Sequence, residues 1–220
     1  MVKLKTAVSV LLAFVINLSG ITIELKGGEN PDLNLLPRFK ILRSEIELSR
    51  DTNRNNYLDK IGRKGAVIGN EGGEFEVWVY PFKIVQQMGI SVLMEELVTP
   101  LRGEELSKFI RVNPASTTIT YSYESFTINQ HIIVPIESPG AIILFEVETV
   151  KPITLIISFR PVLQPMWPAS LGGQYSYWNS SEKAYVISES RGKYCALVGS
   201  PAGEPISSPP AHMLAELPNR

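Results

Sequence analysis

The chain has 220 residues, 44% of them hydrophobic and 20% charged, with a formal net charge of -1. That length and composition suit one large globular domain or two small ones with a real core, and they exclude a disordered chain. No run of five or more like charges occurs, so nucleic acid is not an expected partner: phosphate binding needs clustered Lys and Arg.

The N-terminus carries the first local pattern. Lys3 and Lys5 flank the start of an apolar stretch from Ala7 to Ile16, followed by Asn17, Ser19 and Gly20. A basic start, a short apolar core and small residues after it read as a secretory signal over residues 1–20. The alternative is a buried first strand. The stretch is too short to span a bilayer comfortably, so the chain is expected to be exported, periplasmic or extracellular, without membrane contact once the signal is removed.

From about residue 39 a period of two dominates. Leu42, Ser44, Ile46 and Leu48 form one face of a first strand, with Arg43, Glu45 and Glu47 on the other, a half-buried pattern. The stretch Asp51 to Asp59 then resembles the first part of a calcium loop. Asn56 replaces its turn glycine, however, and Gly62 stands where a bidentate Glu would close the site. A polar loop between strands is the plainer reading, and no metal is expected.

Phe75, Val77 and Val79 alternate with Glu74, Glu76, Trp78 and Tyr80. Further strand-like runs cover 91–97, 117–123, 126–134, 141–149, 153–159, 185–189 and 194–199. Turn signals such as Gly72-Gly73, Asn113-Pro114 and Ser138-Pro139-Gly140 separate them. Gly103 to Ile110 fits a turn or two of helix as well as a strand. Pro161 to Gly173 reads as a long irregular loop. The tail from 201 to 220, with Pro201, Pro205, Pro209, Pro210 and Pro218, reads as a linker or the start of a following domain. The spacing of strands and turns predicts an all-β fold, an antiparallel β-sandwich over residues 21–200.

Chemistry is sparse. Cys195 is the only cysteine and lies in an apolar run, which predicts a buried, inert thiol. His131 and His212 lack paired ligand spacing, and His131 within a strand reads as structural. No Gly-x-Ser-x-Gly elbow or phosphate loop occurs. Glu74 and Glu76 share a strand face, which alternation alone explains. No catalytic residue and no cofactor is expected. The better lead is aromatic: Trp78, Tyr80, Trp167, Tyr175, Tyr177 and Trp178 suit core packing, a sugar platform or a domain interface.

Three segments carry a resemblance. FKILRSEIELSR (Phe39 to Arg50), GGEFEVWVYPFK (Gly72 to Lys83) and ISFRPVLQPMW (Ile157 to Trp167) resemble the N-terminal β-sandwich domain of bacterial amylo-alpha-1,6-glucosidase-like glycoside hydrolases, the glycogen debranching type. The likeness spans roughly residues 36 to 200. It implies a supersandwich-like domain followed by an (α/α)6 barrel that holds the two catalytic carboxylates. The expected role is therefore a non-catalytic domain of an exported hydrolase acting on α-glucans, with the barrel as partner and an α-glucan oligosaccharide as ligand. Trp78, Tyr80 and Trp167 are the expected barrel-interface or sugar-contacting residues. The alternatives are a free-standing carbohydrate-binding module and a structural envelope protein.

Overall fold

Two antiparallel sheets packed face to face make up the computed structural model, which describes residues 4–12, 19–25, 46–167 and 172–207, the first two stretches as backbone alone. The nine-stranded sheet contains β1 (Leu4–Leu12), β3 (Leu48–Asp51), β9 (Ser107–Val112), β10 (Thr117–Tyr123), β11 (Phe126–Ile133), β12 (Ala141–Thr149), β14 (Gln174–Asn179), β15 (Ala184–Glu189) and β16 (Cys195–Gly199). Its order is β14-β15-β16-β1-β12-β11-β10-β9-β3. The second sheet contains β2 (Ser19–Leu25), β4 (Tyr57–Ile61), β5 (Gly65–Asn70), β6 (Phe75–Val79), β7 (Phe82–Met94), β13 (Ile153–Pro165) and β17 (Glu204–Ser207), with the short β8 (Leu101–Arg102) against β7. Its order is β17-β2-β13-β7-β6-β5-β4. The expected all-β antiparallel sandwich is what the chain forms.

Alternation builds the core. Val67, Phe75, Val77, Val85, Met88, Leu155, Ile157 and Phe159 of one sheet meet Ile119, Tyr121, Ile128, Ile132, Ile143 and Phe145 of the other, all buried. Each such side chain contributes about 1.5–3 kcal/mol of burial free energy. Between Gly103 and Ile110 the chain does both things its pattern allows: a single turn of helix, α1 (Gly103–Leu106), runs straight into β9.

Three expectations change. The irregular loop from Pro161 is in part strand, since β13 continues to Pro165 and pairs with β7 at Pro161↔Val85, Gln164↔Lys83 and Pro165↔Phe82. The register shift between Pro161 and Gln164 sets Val162 and Leu163 opposite the single Ile84, next to a proline that has no N–H for the ladder. Of the strand expected from Phe39, the described part is β3 from Leu48; residues 39–45 lie outside the described residues. Ile46 and Leu48, expected on a buried face, are 71% and 75% exposed, because β3 is the edge of its sheet. Cys195, expected buried, is exposed. Period two along β16 turns Cys195 and Leu197 outward while Val198 is buried.

The tail is also longer in structure than expected, since β17 pairs with β2 from Glu204↔Thr22 to Ser207↔Ser19; residues 208–220 lie outside the described residues. Of the expected leader, Leu4–Leu12 pairs with β12 and Ser19–Gly20 belongs to β2. Residues 1–3 and 13–18 lie outside the described residues. No helix among the described residues is long and apolar enough to cross a membrane.

Candidate functional site

The outer face of the second sheet gathers the polar and aromatic side chains that the core rejects. On β6, Phe75 and Val77 are buried, so Glu74, Glu76 and Trp78 point outward. The strand register then lays out rows across the sheet. Ile61, Ala66, Trp78, Lys83 and Gln164 form one row. Asp59, Ile68 and Glu76 form the next, and Tyr57 faces Asn70 in the third.

The first row is locked. The Trp78 Nε1–H donates to Glu76 Oε1 at 2.9 Å, the Lys83 ammonium pairs with Glu76 Oε2 at 2.6 Å, and it lies 5.1 Å from the Trp78 ring centroid. Ala66, opposite Trp78, is fully buried. Glu76 is therefore a structural anion, and the Glu74/Glu76 pair is not a catalytic couple: one carboxylate is already neutralised by a cation.

Beside that row, β7 carries a bulge. Gln86 pairs with Arg160 and Gly89 with Ser158, so β7 has one residue more than β13 between those pairs. Gln87 takes φ 53°, rare for a residue with a side chain. Both glutamines then leave the core ladder, with Met88 fully buried after them. Two hollows flank Gln87 and Glu74. The larger, about 400 Å³, is lined by Tyr57, Asn70, Glu76, Gln86 and Arg160 among others. The smaller, about 240 Å³, runs over Gly73, Gly89, Gly103, Ser91 and Ser158.

The three expected site residues have different settings. Trp78 is half-buried in the locked row. Tyr80, 40% exposed, and Trp167, 88% exposed, stand at one end of the sheet, where the Met166 N–H donates to the Pro81 carbonyl at 2.8 Å. Met166 between them is 60% exposed. Of the other aromatics, Trp178 packs edge-on against Tyr185 at 4.9 Å and belongs to the core rim. Tyr175 and Tyr177 are half exposed on β14, an edge strand.

The Asp51–Asp59 loop folds around a side chain that pattern reading missed. Glu71, 2% exposed, pairs through both carboxylate oxygens with the Arg50 guanidinium and accepts the Asn53 N–H at 2.9 Å. With its amide oriented to accept, Asn56 takes Arg50 at 3.0 and 3.1 Å. A guanidinium thus supplies the positive charge around which the loop oxygens gather. No group of three metal-ligating side chains occurs among the described residues.

His131 has a hydroxyl and a carboxylate neighbour: Thr118 Oγ1 lies 2.9 Å from Nδ1 and Glu146 Oε2 lies 3.3 Å from Nε2. The order resembles a nucleophile relay, but both Thr118 and His131 are 4% exposed, and neither hollow reaches them. Burial holds the imidazole below its ordinary pKa, only partly opposed by Glu146, so the ring stays neutral. This is a structural histidine, as its place in a strand suggests.

Sequence reading missed Tyr57, Gln86, Gln87 and Arg160. The one available signal was Gln86-Gln87, two amides interrupting an apolar strand where alternation allows only one outward residue. No family model matches the chain, and no curated protein or solved structure matches it.

Proposed function

We propose that this chain is a non-catalytic sandwich domain of an exported glycoside hydrolase acting on α-glucans, and that it supports an (α/α)6 catalytic barrel through its Trp167 corner. The observation that carries this reading is the exposure of Tyr80, Met166 and Trp167 at one end of the second sheet, where the Met166 N–H donates to the Pro81 carbonyl. A fully presented Trp beside a Met and a Tyr is a composition enriched at interfaces and their hot spots. Two of the three segments that resemble the debranching-type hydrolases lie side by side here, since Gln164 and Pro165 pair with Lys83 and Phe82. The scarcity of chemistry agrees: Glu76 is neutralised, His131 is enclosed and Glu71 is consumed by Arg50.

The test uses the protein as its source organism makes it. Purified by an antibody to the sandwich, the native material is expected to release glucose from a glycogen limit dextrin. Trp167→Ala introduced into the source gene is expected to lower that activity or its thermal half-life. Native material with no activity on α-glucans would overturn the hydrolase reading. Full activity and unchanged half-life with Trp167→Ala would overturn the role of the corner.

A further inference from the structure

We propose that the double hollow on the outer face of the second sheet is a binding site for a neutral oligosaccharide, separate from the Trp167 corner. The first argument is hydrogen-bonding capacity left unused. The Tyr57 hydroxyl, the Glu74 carboxylate, the Gln86 and Gln87 amides and the Arg160 guanidinium line the larger hollow, and within the described residues none of these groups has a hydrogen-bond or ion-pair partner. Charges elsewhere on the surface do pair, as in Arg63–Glu137 at 2.7 Å and Arg102–Glu104 at 2.8 Å. A concentration of unpartnered donors and acceptors in one concavity is what a polar ligand needs.

The second argument is the backbone. Gln87 keeps a left-handed conformation at φ 53°, which costs a residue with a side chain on the order of 1 kcal/mol or more. The bulge that imposes it sets two consecutive amides at the hollow, and Gln87 stands with Glu74 on the ridge shared by both cavities. Strain retained where it aims a functional group is a feature of binding sites.

Charge and shape then select the ligand class. Glu74 balances Arg160 and Lys83 balances Glu76, so no net positive charge is left for a phosphate or other anion, and the guanidinium disfavours a metal ion. A carboxylate, two amides and a guanidinium together match neighbouring hydroxyls, which donate and accept at once. Tyr57, 92% exposed, presents a flat ring for the apolar face of a sugar. The smaller hollow has a glycine floor at Gly73, Gly89 and Gly103, with Ser91 and Ser158 as further hydroxyls. Two cavities joined across one ridge fit a chain of rings better than a single ring.

The experiment is calorimetric titration of the full chain with maltoheptaose, cellopentaose, glucose and inorganic phosphate. Saturable binding of an oligosaccharide is expected, with glucose weaker by roughly tenfold or more because it fills one cavity only. Gln87→Gly should keep the fold, since glycine relaxes the strained φ, yet weaken binding by roughly tenfold through the lost amide. Tyr57→Ala should do likewise, and Trp167→Ala should leave affinity unchanged. The choice of maltoheptaose rests on the α-glucan reading, whereas the site does not: cellopentaose binding that Gln87→Gly weakens supports the site and removes that reading. Binding of neither oligosaccharide, binding untouched by Gln87→Gly and Tyr57→Ala, or displacement of the sugar by phosphate would each overturn the proposal.

Discussion

Glu71→Ala removes the anion at the centre of the Arg50 loop, and its cost can be worked from the contacts. The carboxylate is 2% exposed and accepts from Arg50 through both oxygens and from the Asn53 N–H. Breaking a buried pair by deleting one partner costs about 3–5 kcal/mol when the other charge stays buried. Here the Arg50 side chain is 53% exposed and regains water, so the loss falls to about 2–3 kcal/mol, near one or two charge-assisted hydrogen bonds. Glu71→Gln keeps an acceptor for Asn53 and should cost about half as much. For a domain of this size each kcal/mol moves Tm by about 2–4 °C, so thermal unfolding of Glu71→Ala should shift down by about 5–10 °C. Calcium or EDTA should leave the wild-type Tm in place, because the guanidinium holds the cation position. A Glu71→Ala midpoint within about 1 °C of wild type, or a calcium-dependent rise in the wild-type Tm, would refute the reasoning.

His131 gives the chain a pH dependence of definite sign. Burial lowers its pKa in the folded state, so below about pH 6.5 the unfolded chain binds a proton that the folded chain refuses. Stability should therefore be flat above that pH and fall as pH drops through 6 toward 5; denaturant midpoints for wild type and His131→Gln should differ in slope only there. Tyr121→Phe should lower stability by about 1–3 kcal/mol. The phenol, raised in pKa by burial, donates to Gln130 Oε1, and the Gln130 Nε2 has no partner of its own. Equilibrium urea unfolding checks this, and an unchanged midpoint would contradict it. Cys195 should titrate rapidly with a thiol reagent in the native protein, one equivalent per chain; a thiol that reacts only after unfolding would contradict its exposure.

What alternation could reveal depended on how purely each strand obeyed it. β6 and β13 alternate between buried and more exposed positions, and their residues announce it, whereas Thr117–Ile119 of β10, Gln130–Ile132 of β11 and Ile143–Phe145 of β12 are buried on both faces. β5 does not alternate: Gly65 and Gly69 stand where a Cβ would strike backbone of β6, so close approach replaced side-chain pattern. The start of β7 was hidden by Gln86-Gln87, because a bulge cancels the period just where it adds a residue. Pro161 and Pro165 disguised the end of β13 as loop. The candidate site was legible only in its Glu76–Trp78 edge. Arg160 and Tyr57 join it from distant strands, and Arg50 reaches Glu71 across a loop, so register and not sequence spacing decides those meetings.

The place of β1 has a consequence for how the chain closes. β1 pairs with β12, Leu4 with Thr149 and Leu12 with Ala141, while its contact with β16 is the single pair Leu11↔Gly199. Such long-range pairing is entropically costly and slow to form. The nine-stranded sheet therefore cannot be completed until most of the chain has left the ribosome. Through that interval Leu4–Leu12 has no partner strand in its own sheet.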